Sequence, residues 1–152
     1  MKRGIILIHE FWGVNSQMKK VAERLAKGGF RVVLADLYKG KIAQNVDEAR
    51  AMKDAIKDDE AAEVLKNCVS KLVSEGIKSE NIAIWGFCMG GSFSYLAAVS
   101  GMKIGAFVIY YGSRISDDKG KLANICAPIL GVFGGLDKAI PRDLVLRFGQ
   151  AL

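Results

Sequence analysis

The stretch NIAIWGFCMGGSFSYLAAVS, residues 81–100, decides how this chain is read. Asn81 to Trp85 is short, apolar and isoleucine-rich, as expected of a strand buried on both faces of a parallel sheet. Gly91 to Ser100 is a run of small and apolar residues with helical character. Between the two, Gly86, Phe87, Cys88, Met89 and Gly90 carry the glycine spacing of the G-x-S-x-G nucleophile elbow, with cysteine in place of serine. The chemistry needs this arrangement. Flanking glycines let strand and helix backbones approach, and a strained turn lifts the nucleophile off the sheet. The amide after it can donate to an oxyanion, and the helix N-terminus favours a thiolate. A phosphate loop is the weaker reading, because no Gly-Lys-Ser/Thr follows. From Asn81 to Met102 there is no Lys, Arg, Asp or Glu, a length that suggests a membrane span. Gly86, Gly90 and Gly91 divide it into two unequal pieces, so two buried elements joined by a tight turn fit better, and no membrane association is expected.

The flanking sequence supplies the rest of a sheet. Gly4 to His9 and Arg31 to Ala35 read as buried strands, Gly105 to Tyr110 as a fourth, and Ile129 to Phe133 as a fifth, entered through Pro128. Asn15 or Ser16 can cap a helix whose apolar face is Met18, Val21, Ala22 and Leu25, ended by Gly28 and Gly29. Residues 46–75 are charged and helical, in two pieces, with Ala61, Leu65, Cys68, Val69 and Leu72 along one face. A last helix begins near Pro141. The fold class is therefore α/β: a doubly wound, mainly parallel sheet of about five strands with helices on both faces. Its common strand order, 2-1-3-4-5, opens a crevice beyond the carboxyl ends of the first and third strands. Residues 9–13 and 86–91 stand there.

Composition agrees. With 152 residues, 51% of them hydrophobic and 25% charged, the chain has the material for one domain and a real core. Lys and Arg number 22 against 16 Asp and Glu, a net charge of +6 scattered rather than stacked, so no nucleic-acid partner is expected. Three cysteines without C-x-x-C, and one histidine, make a disulfide framework or a zinc site a poor reading; no metal is expected. No charged, then apolar, then small-residue leader opens the chain, which reads as a reduced, cytoplasmic protein.

His9-Glu10-Phe11-Trp12-Gly13, Asp36-Leu37-Tyr38, residues 86–91, Tyr110-Tyr111-Gly112 and Gly134-Gly135-Leu136-Asp137 stand in an order that resembles the dienelactone hydrolases of the α/β-hydrolase superfamily. The resemblance covers nearly the whole chain. It implies a hydrolase that opens a lactone or small carboxylic ester through a cysteine acyl-enzyme, with no metal or organic cofactor. Cys88 is then the nucleophile, and Asp137 the acid that orients a catalytic histidine, or else a residue that only shapes the turn after Gly134 and Gly135. Glu10 is the carboxylate that contacts the thiol, or else a solvated loop carboxylate, and the amides of Phe11 and Met89 form the oxyanion hole. Trp12 and Tyr111 read either as substrate-pocket walls or as core aromatics. Arg50 reads as a contact for an anionic substrate or as part of a solvated helix face, and Asp36 as a turn cap.

One departure matters. The family order is nucleophile, acid, histidine, and after Asp137 these residues hold no histidine. His9 precedes the nucleophile and reads as a core histidine rather than a base. The expectation is a single α/β-hydrolase-like domain, 1–152, truncated at its C-terminus before the strand and loop that carry the base. The alternative is a non-catalytic module of the same fold, which binds a ligand or senses oxidants through its thiol.

Overall fold

The computed structural model describes residues 2–152. Five strands, β1 (Arg3–Ile8), β2 (Phe30–Ala35), β3 (Ile82–Phe87), β4 (Ala106–Tyr110) and β5 (Ile129–Val132), form one sheet in the order β2-β1-β3-β4-β5. Every pairing is parallel. The helices are α1 (Ser16–Lys27), α2 (Val46–Asp54), α3 (Asp58–Ser74), α4 (Met89–Val99), α5 (Lys119–Leu122) and α6 (Arg142–Ala151).

Strand alternation sorts the core into two faces. Ile6, Ile8, Ile82, Ile84 and Phe107 bury against Ala61, Leu65 and Leu72 of α3 and Phe93, Ala97 and Ala98 of α4. Ile5 and Leu7 point the other way, onto Met18 of α1. Tyr95 of α4 and Ile109 of β4 receive Phe148 of α6. The expected cap of α1 is Asn15, whose side chain accepts from the Met18 amide.

Two expectations are corrected. The strand expected to end at Trp85 runs on to Phe87, and the helix expected from Gly91 starts at Met89, so Cys88 alone joins strand to helix. Between β4 and β5 stands the four-residue α5, capped by Asp118, which is too short to show a period. Among the described residues no helix is long and apolar enough to cross a membrane.

The sheet order is locked where α4 meets the strand ends. A Cβ on Gly86 would lie 1.9 Å from the carbonyl oxygen of Gly90, and one on Gly90 would lie 2.6 Å from that of Ile8. Neither backbone can retreat without breaking the β1–β3 ladder. Gly86→Ala should therefore cost at least about 4 kcal/mol of stability, within the exceptional class of point substitutions. Gly149, in α6 with open space around it, is the control: Gly149→Ala should be neutral or stabilise by up to about 1 kcal/mol. Urea denaturation of both variants checks the pair.

Candidate active site

Cys88 sits at φ 54° and ψ −115°, a backbone conformation that costs a non-glycine residue about 1–3 kcal/mol. The surroundings hold it there. Its amide donates to the Tyr110 carbonyl of β4 at 3.0 Å, and its own carbonyl accepts from the Ser92 amide at 3.1 Å. The result is an exposed thiol at the N-terminus of an eleven-residue helix. The other two cysteines stand elsewhere. Cys68 is buried in the α3 interface, and that burial pushes its thiol up. Cys126 is exposed, with Sγ against the carbonyls of Gly101 and Met102.

The residues at the end of β1 pack against the start of α4, where Gly90 meets the carbonyls of Ile8 and His9. Among the described residues, the amides of Phe11 and Met89 donate to no protein acceptor. Glu10 is half-buried and shares no hydrogen bond with the Cys88 thiol. What the two share is Tyr111. Burial, then the charges of Glu10 and Cys88, push the Tyr111 phenol up. Tyr111, itself at φ 40° and 39% exposed, has its ring 6.4 Å from that of Phe87, the residue before the elbow cysteine. Trp12 is half-buried with its ring 4.7 Å from that of Phe11. Arg50 is exposed on α2 and has no ion pair among the described residues.

Asp137 is not joined to the elbow by any hydrogen bond. Its Oδ1 accepts from the amides of Ala139 and Ile140, at 2.8 and 3.3 Å, shaping the turn after β5. Asp36 does cap a turn: its oxygens accept from the Tyr38 and Gly40 amides.

His9 is fully buried, and its hydrogen bonds fix its tautomer. The Leu37 amide donates to Nε2 at 3.0 Å, so Nε2 carries no proton, and Nδ1 donates to the Glu10 carbonyl at 2.6 Å. Both nitrogens are committed, and neither faces the thiol. Tyr38, which the sequence offers only as part of the Asp36-Leu37-Tyr38 motif and with no role of its own, lies against this ring at 4.7 Å between centroids. Its hydroxyl donates to the Phe11 carbonyl at 3.0 Å and touches Met89 Sδ at 3.5 Å. Burial, then the charges of Asp54 and Cys88, push this phenol up to about 12, so it stays a donor across the neutral range. The signal available in the sequence was the Asp36 turn, which presents the residue two positions on.

Burial pushes the His9 imidazole below its ordinary 6.5, outweighing the raising effects of the Glu10 carbonyl and of Asp36. The unfolded chain therefore binds a proton that the folded chain refuses, and stability falls as pH drops through and below 6.5. Carboxylates held low by arginine, such as Asp58 beside Arg114, lose their contribution only at lower pH. Urea midpoints should decline between pH 7.5 and 5, and His9→Phe should flatten that decline. A wild-type midpoint constant over this window would contradict the assignment.

Comparison with known proteins places the sequence in a family and the structure in a fold. The sequence pattern of the "Dienelactone hydrolase family" matches residues 1–152. A Yersinia pestis protein named "Putative carboxymethylenebutenolidase" is 27% identical over 161 residues, covering 97% of this chain and 60% of that protein. "Protein usf" of Aquifex pyrophilus is 33% identical over 152 residues, covering 94% of this chain and 65% of its own length. The chain thus spans about three fifths of the length of these curated relatives. The crystal structure of "Putative Dienelactone Hydrolase from Klebsiella pneumoniae subsp. pneumoniae MGH 78578" superposes with a TM-score of 0.83 at 24% identity. It covers 99% of this chain and 68% of that one, and it shares the fold.

Proposed function

The chain belongs to the dienelactone hydrolase family, and from that premise we propose that Cys88 is the nucleophile of a hydrolase acting on a lactone or small carboxylic ester. The observation that carries this reading is the strained, exposed Cys88 at the start of α4, beside two uncommitted amides. The Cys88 thiolate attacks the carbonyl carbon. As the S–C bond forms, the carbonyl oxygen takes the charge within reach of the Phe11 and Met89 amides. The C–O bond to the alcohol portion then breaks, leaving a thioester and an alkoxide, free or tethered in an opened lactone, which takes a proton from solvent water. Water closes the cycle by forming a C–O bond as the C–S bond breaks. Tyr111 and Trp12 wall the substrate, and Arg50 is assigned a weaker part, toward an anionic group.

Two carboxylates complete the assignment. Glu10 keeps the thiol quiet through like-charge repulsion until substrate displaces it. Asp137 orients a histidine base, and His9, with both nitrogens committed, is not that base. The exposed Cys88 thiol also supports a second reading, a non-catalytic module of the same fold that binds a ligand or senses oxidants.

With an activated aryl ester, the 152-residue chain should release one equivalent of aryloxide in a burst, followed by a slow or absent steady state. Thiolate attack needs no proton abstraction, whereas deacylation needs activated water. Cys88→Ala should abolish the burst. Added imidazole should speed the second phase, since a positioned base is worth about 10²–10⁴-fold and a free one less. Stopped-flow absorbance decides: no burst favours the non-catalytic module, and rapid turnover without imidazole contradicts the assignment of the base. Glu10→Gln should raise the rate of Cys88 alkylation by iodoacetamide at neutral pH by about threefold to tenfold, the effect of removing one adjacent charge. An unchanged rate, read by mass spectrometry, returns Glu10 to a loop carboxylate.

A further inference from the structure

We propose that His9 and Tyr38 form a buried splint that aims the Phe11 N–H, making both of them positioning residues for the oxyanion hole. The proposal rests on the reading of Cys88 given above. A peptide group is planar and trans, so the carbonyl of Glu10 and the N–H of Phe11 lie in one plane and point in opposite directions. Whatever pins that carbonyl aims that N–H. The Glu10 carbonyl is pinned twice, by His9 Nδ1 at 2.6 Å and by the Gly13 amide at 3.1 Å. The following peptide is pinned as well, by the Tyr38 hydroxyl on the Phe11 carbonyl at 3.0 Å.

The pins are themselves held. His9 is fixed at Nε2 by the Leu37 amide, and Tyr38 by the Asp36 turn and by the His9 ring against it. The Tyr38 hydroxyl has one hydrogen, which goes to the Phe11 carbonyl. Its contact with Met89 Sδ is then polarisable packing, and it brings one side chain against both residues whose amides are the proposed donors. A fully buried imidazole is costly to desolvate, and an apolar residue would fill the space without that cost. Nδ1 and Nε2 return the cost as two bonds that bind the ends of β1 and β2 to the loop over the thiol.

The test compares two reactions of the same thiol. Acylation by an aryl ester develops an oxyanion, whereas alkylation by iodoacetamide displaces iodide at a saturated carbon and develops none. Losing one oxyanion donor costs about 10²–10³-fold in known hydrolases, so a misaimed donor should cost about tenfold to a hundredfold. Tyr38→Phe should therefore lower the acylation rate by that factor and leave the alkylation rate within about twofold. A merely structural role would move both rates or neither. His9→Phe, which keeps a ring against Tyr38 but has no donor, should lower the ratio likewise, and whichever variant folds by circular dichroism and size exclusion decides. An unchanged ratio in a folded variant, with acylation still lost in Cys88→Ala, overturns the splint alone. Acylation that survives Cys88→Ala overturns the reading of the site and the splint with it.

Discussion

Three backbones meet at the end of β3 with no side chain between them, and the rest of the structure follows from that contact. Gly86 lets the Gly90 carbonyl approach, and Gly90 lets α4 abut the last carbonyls of β1. Gly91 and Gly112 repeat the arrangement on the β4 side, where a Cβ on either would fall within about 2.5 Å of the other's segment. With α4 held this close, one residue must turn the chain from strand to helix, and only a positive φ does so. The strain at Cys88 is thus imposed by packing on both sides. It leaves the thiol exposed, and it places a helix N-terminus beneath it.

The same contact explains why the loop after β1 matters. Gly90 packs directly against the carbonyls of Ile8 and His9, so the β1 end and the elbow are in direct backbone contact. His9 and Tyr38 extend this contact to the end of β2. The exposed thiol stands at the N-terminus of α4, where a helix favours negative charge. Tyr111 is tied to β5 by the bond from its amide to the Val132 carbonyl at 2.8 Å.

Much of this was legible in the sequence because it is local. The apolar runs before His9 and Ala35, and the glycines on either side of Cys88, fix strand, turn and helix within a few residues of each other. The helix start was placed two residues late because Met89 and Gly90 carry no periodic signal of their own. Asp36 showed itself as a turn cap because that bond spans two positions. The Tyr38 contacts join residues 27 and 51 positions apart, and the Leu37–His9 bond spans 28. No pattern of period 2 or 3.6 reports such pairs. Asp137 was read from its motif, and its bonds to Ala139 and Ile140 give that motif a turn-shaping part that the sequence left open.

The central claim is that the strained residue at the elbow becomes acylated. Trypsin separates the three cysteines: Cys88 falls in the fragment 79–103, Cys68 in 67–71 and Cys126 in 122–138. The most direct measurement is mass spectrometry of the folded chain, acid-quenched within the first turnover with an aryl acetate and then digested. The account predicts one acetyl group per chain, on fragment 79–103 and lost in Cys88→Ala. Aryloxide release with no acetyl group on that fragment, or with the group on another, would contradict it.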